Sequence, residues 1–434
     1  MLRKLVLIAA ALTACSPEAA RAPEFHPAAG REICQGHDGY AATFDGRRTF
    51  LWRADWLKHT KQEAAQAKSP AFEQLIRNAD NALKHVPYAV IQKSVVPSSG
   101  DKHDYFSLAT YWWPDPEKPD GLPYIRRDGE INPEVYSKKF DFANLEDMSA
   151  DVTALSLAYY FTDDDLYAKH AVGMLRTWFL DPDTRMNPNL VFAQGVPGRS
   201  EGRPTGIIET IALIPVTESI GLLQASDALS SDDLNGLQAW FNDYVEWLRS
   251  SDAGEKEAES TNNHSVAYDL QVIKFALFSG QVDIARDVAG GFAERRIVPQ
   301  ISSDGSMPQE LARARTFHYS LFTLGLMAEV ASLSECVGLD LWRFKRPDGG
   351  GIRAAFDFVA PYAGREKDWP HAETDDVTEW HRYQIEFHDL LLQAAWAYNE
   401  PSYAAKAAHY ESVLKDESVL KEDTGKIVLP SFGG

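Results

Sequence analysis

Apolar residues at helical spacing recur along most of the chain, and this pattern restricts the possible folds more than any other feature. Ser69-Pro70 places a capping residue before a proline, and Phe72, Leu75 and Ile76 then line one side of a predicted helix. Comparable patterns predict helices over 148–161, 166–179, 207–223, 232–248, 266–278, 282–296, 316–333, 351–359, 384–398 and 402–414.

Paired helices joined by short loops bury their apolar sides against neighbours, either in a solenoid or in a closed ring. A regular solenoid would show a strict sequence repeat, and none is found. We therefore predict an all-α fold, an α/α toroid built as an incomplete barrel of helical hairpins, with the functional loops at one rim. A strand pattern is predicted only near the end of the chain, over 427–429.

Residues 101–144 interrupt the helical pattern with prolines and turns. Irregular segments of this length in compact proteins are usually functional or disordered, and the aromatic content of this one argues against disorder. The aromatic residues are Tyr105, Phe106, Tyr111, Trp112, Trp113 and Tyr124. Their rings suit stacking on sugar rings, and they suit packing of the segment onto the core equally well.

The first residues predict export and a lipid anchor. A basic start precedes a brief apolar run that is too short to span a bilayer, and small residues then lead to Cys15. We predict a lipoprotein signal peptide over 1–14, lipidation of Cys15, and a tether with an N-terminal extension over 15–45. An ordinary signal cleaved near Ala20 is the alternative. The signal predicts a periplasmic or outer-membrane-anchored location, and Ser16 after the cysteine, where an aspartate would favour the inner membrane, favours attachment to the outer membrane.

Residues 46–434 are predicted to form a single α/α toroid domain that carries the function. No segment of this domain is expected to be long and apolar enough to cross a membrane. Cys34 and Cys336 would form a disulfide in an oxidising periplasm, or would be two separate small apolar side chains.

The formal net charge is −20, which argues against nucleic acid as a partner and would repel an anionic ligand at long range. An anionic polymer would therefore need a local basic groove. Candidate residues for such a groove are Arg126, Arg127, Arg199, Arg203, Arg313 and Arg315. Other charges, such as those over 255–257, lie in mixed runs typical of solvated surfaces.

Two short segments carry side chains suited to one type of reaction. Asn262-Asn263-His264 and the stretch from Arg313 to Tyr319 supply amide, imidazole, guanidinium and phenol groups. Such groups neutralise a carboxylate through hydrogen bonds while a phenol or imidazole removes the proton from the adjacent carbon. In a 1,4-linked uronic acid that proton is on C5 and the leaving group is O4, so its removal leads to β-elimination.

The position at which the second segment becomes helical decides which arginine enters the site. If Arg315 and Tyr319 belong to one helix, they are four residues apart and share a side of it. If the helix begins only near Thr316, Arg313 is free to enter the site instead. The sequence leaves both possibilities open.

Each of these residues also has a structural interpretation. Asn263 would cap the following helix, His264 would be a hydrogen-bonded structural histidine, and Tyr319 would be a core residue. In the functional interpretation, guanidiniums near Tyr319 favour its phenolate form, since a phenol ordinarily titrates near pH ~10. No cofactor or metal ion is expected, because the acidic residues between His371 and His381 match no trusted ligand spacing.

Several motifs resemble those of the alginate lyase superfamily. The most specific comprises Tyr111-Trp112-Trp113 with the Pro-Asp-Pro that follows, and continues over 119–129. Further similarities lie at 188–190, 193–194, 197–198, 202–203, 206–209, 262–264 and 313–319. The resemblance extends from about residue 50 to about residue 400 and is greatest for the branch of β-1,4-glucuronan and alginate lyases, which have an α/α toroid.

The resemblance implies roles for individual residues. Asn263 and His264 match the carboxylate-neutralising amide and the catalytic histidine, Tyr319 matches the acid/base tyrosine, and Arg313 matches the supporting arginine. The residues expected to bind substrate are Asn262, Gln194, Arg199, Arg203, Arg315, His318, Tyr111, Trp112 and Trp113. The close spacing of Arg313 and Tyr319 departs from the better-known alginate lyases, which leaves Arg315 open as the catalytic arginine.

The predicted activity is metal-independent β-elimination in a 1,4-linked polyuronate, either glucuronan or mannuronate-rich alginate. The alternatives are a glycoside hydrolase on an α/α toroid, for which Glu209 has no visible partner carboxylate, and a non-catalytic glycan-binding lipoprotein. The expected partners are an anionic polysaccharide and, through the lipid anchor alone, a membrane. The protein is expected to be a monomer.

Overall fold

The computed structural model of the protein describes residues 43–66, 69–373 and 380–410. The predicted signal peptide, Cys15, Cys34 and the strand pattern over 427–429 lie outside the described residues. Cys336 is disulfide-bonded in the structure. Because Cys34 is outside the described residues, the pairing of these two cysteines stays a prediction.

α-Helices joined by short connections make up most of the described chain. In chain order they are α1 Ala54–Gln66, α2 Pro70–Ala82, α3 Phe142–Thr162, α4 Asp165–Leu175, α5 Ile214–Leu223, α6 Ser231–Ser250, α7 Asp252–Ala258, α8 Asn263–Phe278, α9 Val282–Phe292, α10 Val298–Gln300, α11 Pro308–Leu311, α12 Thr316–Glu335, α13 Ile352–Val359, α14 Trp380–Tyr398 and α15 Pro401–Ala407. Short π-helical stretches, Arg176–Leu180 and Ala293–Ile297, extend α4 and α9.

The helices form two layers. In the inner layer α3, α5, α8, α12 and α14 pack side by side in that order. In the outer layer α2 and α4 pack on α3, α6 and α9 on α8, and α15 on α14. Every residue of α8 from Ser265 to Phe278 is buried, as expected for a helix enclosed on all sides. This is the all-α helical toroid predicted from the sequence.

Helix starts follow the capping signals in the sequence. The Ser69 hydroxyl accepts a hydrogen bond from the Phe72 N–H at 3.1 Å, and Pro70 occupies the first helical position of α2. The single helix predicted over 207–223 begins instead as a 3₁₀-helix over Pro204–Leu213, which gives way to α5 with Pro215 in its first turn.

The stretch Pro204–Leu223 is long and apolar enough to cross a membrane, so the expectation that no such segment exists was wrong. Its most apolar window is 78% buried within the protein, and α5 lies in the inner layer. Burial among other helices accounts for its composition without a membrane.

Short strands lie in and beside the irregular segment, where the sequence analysis expected none. They are β1 Phe106–Leu108, β2 Trp112–Trp113, β3 Ile125–Arg126 and β4 Phe192–Gly195. β1 pairs in parallel with β4, and β2 pairs antiparallel with β3. The β1–β4 pairing holds the aromatic segment against the residues that follow α4, so that both belong to one rim of the toroid.

A cavity of about 390 Å³ lies within the ring. Residues of α3, α5, α12 and α14 line it together, which requires the inner layer to curve back on itself. On α12 the lining begins at Gly325, about two turns after Tyr319. The cavity therefore lies further along α12, away from the end that carries the predicted chemistry.

A buried ion pair ties the inner layer to the N-terminal segment. Lys274 on α8 and Glu218 on α5 are both fully buried and bonded to each other. The Glu218 carboxylate also accepts hydrogen bonds from the N–H groups of Phe50, Leu51 and Trp52 at 3.0–3.2 Å. Burial lowers the pKa of Lys274, and Glu218 opposes this effect.

Replacing Lys274 with methionine is expected to lower the free energy of unfolding by about 3–5 kcal/mol, because the Glu218 carboxylate would stay buried without its cation. Arg286→Ala, which breaks the solvent-exposed pair with Asp283, is the control and is expected to cost under about 1 kcal/mol. Denaturant titrations of both variants measure the difference. Equal effects of the two substitutions would contradict the proposed importance of the buried pair.

Candidate active site

The two predicted chemical segments lie at the starts of neighbouring inner helices. Asn263 is the first residue of α8 and Tyr319 lies in the first turn of α12, and these helices pack against each other. The irregular segment approaches the same place, since the Tyr111 hydroxyl is 2.8 Å from the Tyr319 hydroxyl. The toroid thus brings together three distant parts of the sequence.

Arg313 and Tyr111 hold the hydroxyl of Tyr319. The Arg313 Nη2 donates to the Tyr319 Oη at 2.7 Å, and its guanidinium carbon lies 3.8 Å from the ring centroid. Arg313 in turn donates to both carboxylate oxygens of Asp128, at 2.9 and 3.2 Å. Although burial acts in the opposite direction, the Arg313 hydrogen bonds and charge hold the pKa of Asp128 below its ordinary value. The guanidinium is therefore fixed in place beside the phenol.

Burial opposes ionisation of the Tyr319 phenol. Burial raises the pKa of Tyr319 above its ordinary value and Tyr111 raises it further, whereas Arg313 lowers it. The expected effect of a nearby guanidinium is present, since the charge of Arg313 favours the phenolate, but desolvation outweighs it and the pKa of Tyr319 is raised overall. The hydroxyl is nevertheless in contact with a cation that would stabilise a negative charge on its oxygen.

The start of α12 separates the roles of the two arginines. The helix begins at Thr316, with Arg315 at its N-cap. Arg313 therefore lies before the helix, and its side chain contacts Tyr319 in the first turn. Arg315 is buried and donates to the Tyr383 hydroxyl. His318, a predicted substrate-binding residue, is half-buried, with its ring centroid 4.9 Å from that of Tyr319. The geometry favours Arg313 over Arg315 as the arginine that acts on Tyr319.

Asn263 does not cap its helix. The cap is Asn262, whose side chain accepts from the His264 N–H at 3.3 Å. Asn262 was predicted to bind substrate, and its observed contact is structural. Asn263 is 1% exposed, and both its backbone N–H and its side-chain Nδ2 donate to Glu310, each at 2.8 Å.

His264 is paired with a buried carboxylate. Its Nδ1 lies 2.6 Å from Oε1 of Glu257, which is 1% exposed. The interpretation of residues 255–257 as a solvated charge run is therefore wrong for Glu257. A carboxylate on Nδ1 fixes the imidazole orientation and leaves Nε2 for a ligand. The His264 side chain keeps 20% of its surface exposed, so a ligand has access to it.

Gln194 and Arg203 were predicted to line the substrate groove, and the structure joins them directly. Arg203 donates to the Gln194 carbonyl at 3.1 Å and to its Oε1 at 2.7 Å. Gln194 has a φ of 51°, an uncommon conformation for a residue other than glycine. The Ser107 hydroxyl accepts from its backbone N–H at 2.7 Å and helps to hold that conformation.

The glycines around Arg203 allow its loop to lie directly on β4. A Cβ atom at Gly202 would overlap the Val191 carbonyl, and one at Gly206 would lie 2.5 Å from the Ala193 Cβ. This close approach is a physical reason for glycine at both positions. It holds the Arg203 guanidinium beside Gln194 and the Trp112 ring.

The predicted aromatic and basic residues form a partly exposed wall. The Arg199 and Arg203 guanidiniums lie 5.3 and 5.6 Å from the Trp112 ring centroid. Trp113 has a similar contact with Arg127, at 5.2 Å. These pairs bring positive charge and flat apolar surface together despite the negative charge of the whole chain, as a binding surface for an anionic sugar polymer requires.

Glu209 is a buried structural carboxyl. It accepts hydrogen bonds from the hydroxyls of Tyr105 at 2.9 Å and Ser107 at 2.6 Å, and burial raises its pKa to about 7. Ser107 also contacts Gln194. Glu209 therefore supports the loop that carries Gln194, and its burial does not suit one half of a hydrolase carboxylate pair.

Three carboxylates of the site were missed as functional residues in the sequence analysis. Asp128 lies inside the most specific motif, Glu310 opens the segment that leads to Tyr319, and Glu257 precedes His264 by seven residues. A signal for Glu257 and Glu310 was available, since an amide or imidazole that must hold one orientation needs a fixed acceptor. Among the described residues no group of three or more histidine, cysteine or acidic side chains is arranged to hold a metal ion.

Comparison with known proteins identifies the family. The family model described as alginate lyase matches residues 89–369. A crystal structure of an alginate lyase from Bacteroides ovatus superimposes with a TM-score of 0.80 at 39% identity, covering 84% of this chain and 96% of that one. A search of the curated proteins finds no match.

Two structures of alginate lyase A1-III also overlay on the chain. The structure from Sphingomonas species A1 gives a TM-score of 0.48 at 15% identity, covering 77% of this chain and 91% of that one. A histidine-to-alanine variant of A1-III in complex with a tetrasaccharide gives 0.49 at 17% identity, covering 76% and 88%. The extent of the family match and the 39% identity to the Bacteroides enzyme show that this chain belongs to the alginate lyase family and is a polysaccharide lyase.

Proposed function

We propose that the enzyme cleaves a 1,4-linked polyuronate, glucuronan or mannuronate-rich alginate, by β-elimination with Tyr319 as the acid/base. The observation that carries this proposal is the position of the Tyr319 hydroxyl, which contacts Arg313 and Tyr111 at the rim that holds Asn263. A phenol positioned by a guanidinium fits proton abstraction from carbon better than hydrolysis, which requires two opposed carboxylates.

In the proposed reaction Tyr319 takes the proton from C5 of the uronate. The C5–H electron pair forms the C4–C5 double bond, the C4–O4 bond breaks, and Tyr319 returns the proton to the departing O4. The products are a new chain end and a 4,5-unsaturated uronate. Burial favours the protonated phenol, so Tyr319 first gives its own proton to solvent and then, as the phenolate, accepts the one from C5. The Arg313 hydrogen bond stabilises the phenolate formed in that step.

Negative charge accumulates on the uronate carboxylate as the C5 proton leaves. The proposed donors to this carboxylate are the side-chain N–H of Asn263 and the Nε2–H of His264. Each is worth about 3 kcal/mol if fully aligned. Because these donors neutralise the charge, the proposed reaction needs no metal ion. Gln194, Arg199 and Arg203, with Trp112, Trp113 and Tyr111, would hold the neighbouring sugars.

We also propose that the enzyme works in the periplasm or at the outer membrane, attached through a lipid on Cys15. The basic start, the short apolar run and the small residues before Cys15 support this proposal. A periplasmic location would place the enzyme where imported or surface-bound polysaccharide is degraded.

Tyr319→Phe is expected to reduce kcat by at least about 10²-fold while polymer binding is kept, because only the acid/base oxygen is removed. The absorbance of the conjugated double bond measures turnover, and affinity electrophoresis in a polyuronate gel measures binding. Tyr403→Phe, which removes a buried hydroxyl bonded to Asp357, is the matched control and should retain activity. Full turnover by Tyr319→Phe would exclude Tyr319 as the acid/base.

Arg313→Gln is expected to lower kcat/KM by about 10²-fold and to move the alkaline rise of the pH profile to higher pH. Arg313 lowers the pKa of Tyr319, so its loss leaves a smaller fraction of ionised phenol at each pH. Initial rates across the alkaline range measure both effects. If Arg315→Gln shifts the profile and Arg313→Gln does not, the role belongs to Arg315.

A digest of polymannuronate, polyguluronate, glucuronan and hyaluronan tests the substrate class. We expect unsaturated product from polymannuronate, glucuronan or both, since these sugars differ at C2 and present the same C4–C5 centre to Tyr319. Polyguluronate is expected to react poorly, because inversion at C5 places its proton on the opposite side of the ring. Reaction with polyguluronate alone would contradict a tyrosine-only mechanism.

A further inference from the structure

Glu310 makes a contact that the proposed reaction does not explain by itself. It is 1% exposed and lies on the one-turn helix α11, nine residues before Tyr319. Its Oε1 accepts from the backbone N–H of Asn263 and its Oε2 accepts from the side-chain Nδ2, both at 2.8 Å. A single buried carboxylate therefore binds two groups of the residue that is proposed to neutralise the substrate.

We propose that Glu310 is a positioning residue that fixes the Asn263 carboxamide in the orientation needed to donate to the uronate carboxylate. This inference rests on the proposed function. It adds a requirement that neither the motif nor the family match assigns. The buried Glu310 carboxylate must hold the Asn263 donor in place before substrate binds.

The orientation follows from the donors and acceptors present. The backbone N–H and Nδ2 of Asn263 only donate, so both Glu310 oxygens act as acceptors. If the Asn263 carboxamide were turned over, its Oδ1 would face a carboxylate oxygen and two acceptors would meet. Glu310 thus permits one of the two amide orientations. The second hydrogen of Nδ2 is left in a fixed direction for a ligand.

The position at a helix start strengthens the arrangement. Asn263 is the first residue of α8, where a backbone N–H has no partner within the helix. An anion at this end is also favoured by the helix dipole. The backbone contact therefore anchors Glu310, and the second oxygen is free to hold the side chain. The backbone N–H of Arg313 donates to the Glu310 carbonyl at 3.1 Å, so the residue that binds Asn263 is also joined to the residue that contacts Tyr319.

Glu310→Gln is the test, since glutamine keeps the shape but offers one acceptor where Asn263 needs two. We expect kcat/KM on the preferred polyuronate to fall by about 10-fold or more, because a misplaced Asn263 amide no longer donates to the uronate carboxylate in the transition state. In the Asn263→Ala background the same substitution should change kcat/KM by less than about 2-fold, since the group it positions is gone. An equal loss in both backgrounds would overturn the proposal.

Glu366→Gln is the matched control. Glu366 is also buried and also accepts from one backbone N–H, that of Gly364, and one side chain, the Tyr410 hydroxyl. It lies outside the site, so the variant should melt at a lower temperature while folded enzyme keeps its kcat/KM. A similar loss of kcat/KM in Glu366→Gln would show that the effect of Glu310→Gln is a general consequence of altering a buried carboxyl.

A second measurement is independent of catalysis. In enzyme labelled with ¹⁵N-asparagine, the carboxamide signal absent from Asn263→Ala identifies Asn263, and one of its protons should be strongly deshielded by Glu310. Glu310→Gln should remove this shift, and an unchanged signal would overturn the positioning role. If the wild-type enzyme forms no unsaturated product from any of the four polymers, the proposed function fails, while the amide signal still decides the orientation.

Discussion

A carboxylate that is removed from water must be matched by hydrogen-bond donors, and this requirement connects the irregular parts of the protein to its ring of helices. The buried Glu218 carboxylate accepts hydrogen bonds from the N–H groups of residues 50–52, and the buried Asp141 carboxylate accepts one from the N–H of Phe106. The partly buried Glu373 carboxylate accepts one from the N–H of Phe317. Each carboxylate gives backbone donors without a regular partner a fixed acceptor. The loops at the rim are thereby held by charge as well as by apolar contact.

The same principle operates within the candidate active site, where it controls the orientation of the side chains. Asp128 holds Arg313, Glu257 holds His264 and Glu310 holds Asn263. None of the three carboxylates would be a suitable direct partner for an anionic sugar. They instead fix the cationic and amide groups that are suitable partners. In this way a chain with a strongly negative net charge keeps a local surface suited to an anionic sugar.

The sequence predicted the helical architecture well, because apolar spacing and the cap at Ser69-Pro70 act locally. It missed β1 and β4, since a pairing between Phe106 and Phe192 depends on contacts between segments far apart in the chain. The choice between Arg313 and Arg315 depended on one helix boundary at Thr316. Glu257 was misjudged because its neighbours in sequence are solvated, whereas its burial comes from the tertiary structure.

The hydroxyls of Tyr111 and Tyr319 meet although 208 positions separate them in the chain. No contiguous fragment shorter than that interval contains both, and the Asn263 region joins them only when the intervening helices are in place. Under the proposed mechanism, a nascent chain is consequently inert until nearly all of the ring has been synthesised and closed. Turnover of polymer would therefore require the completed fold, and truncated copies released by proteolysis would not degrade the surrounding polysaccharide.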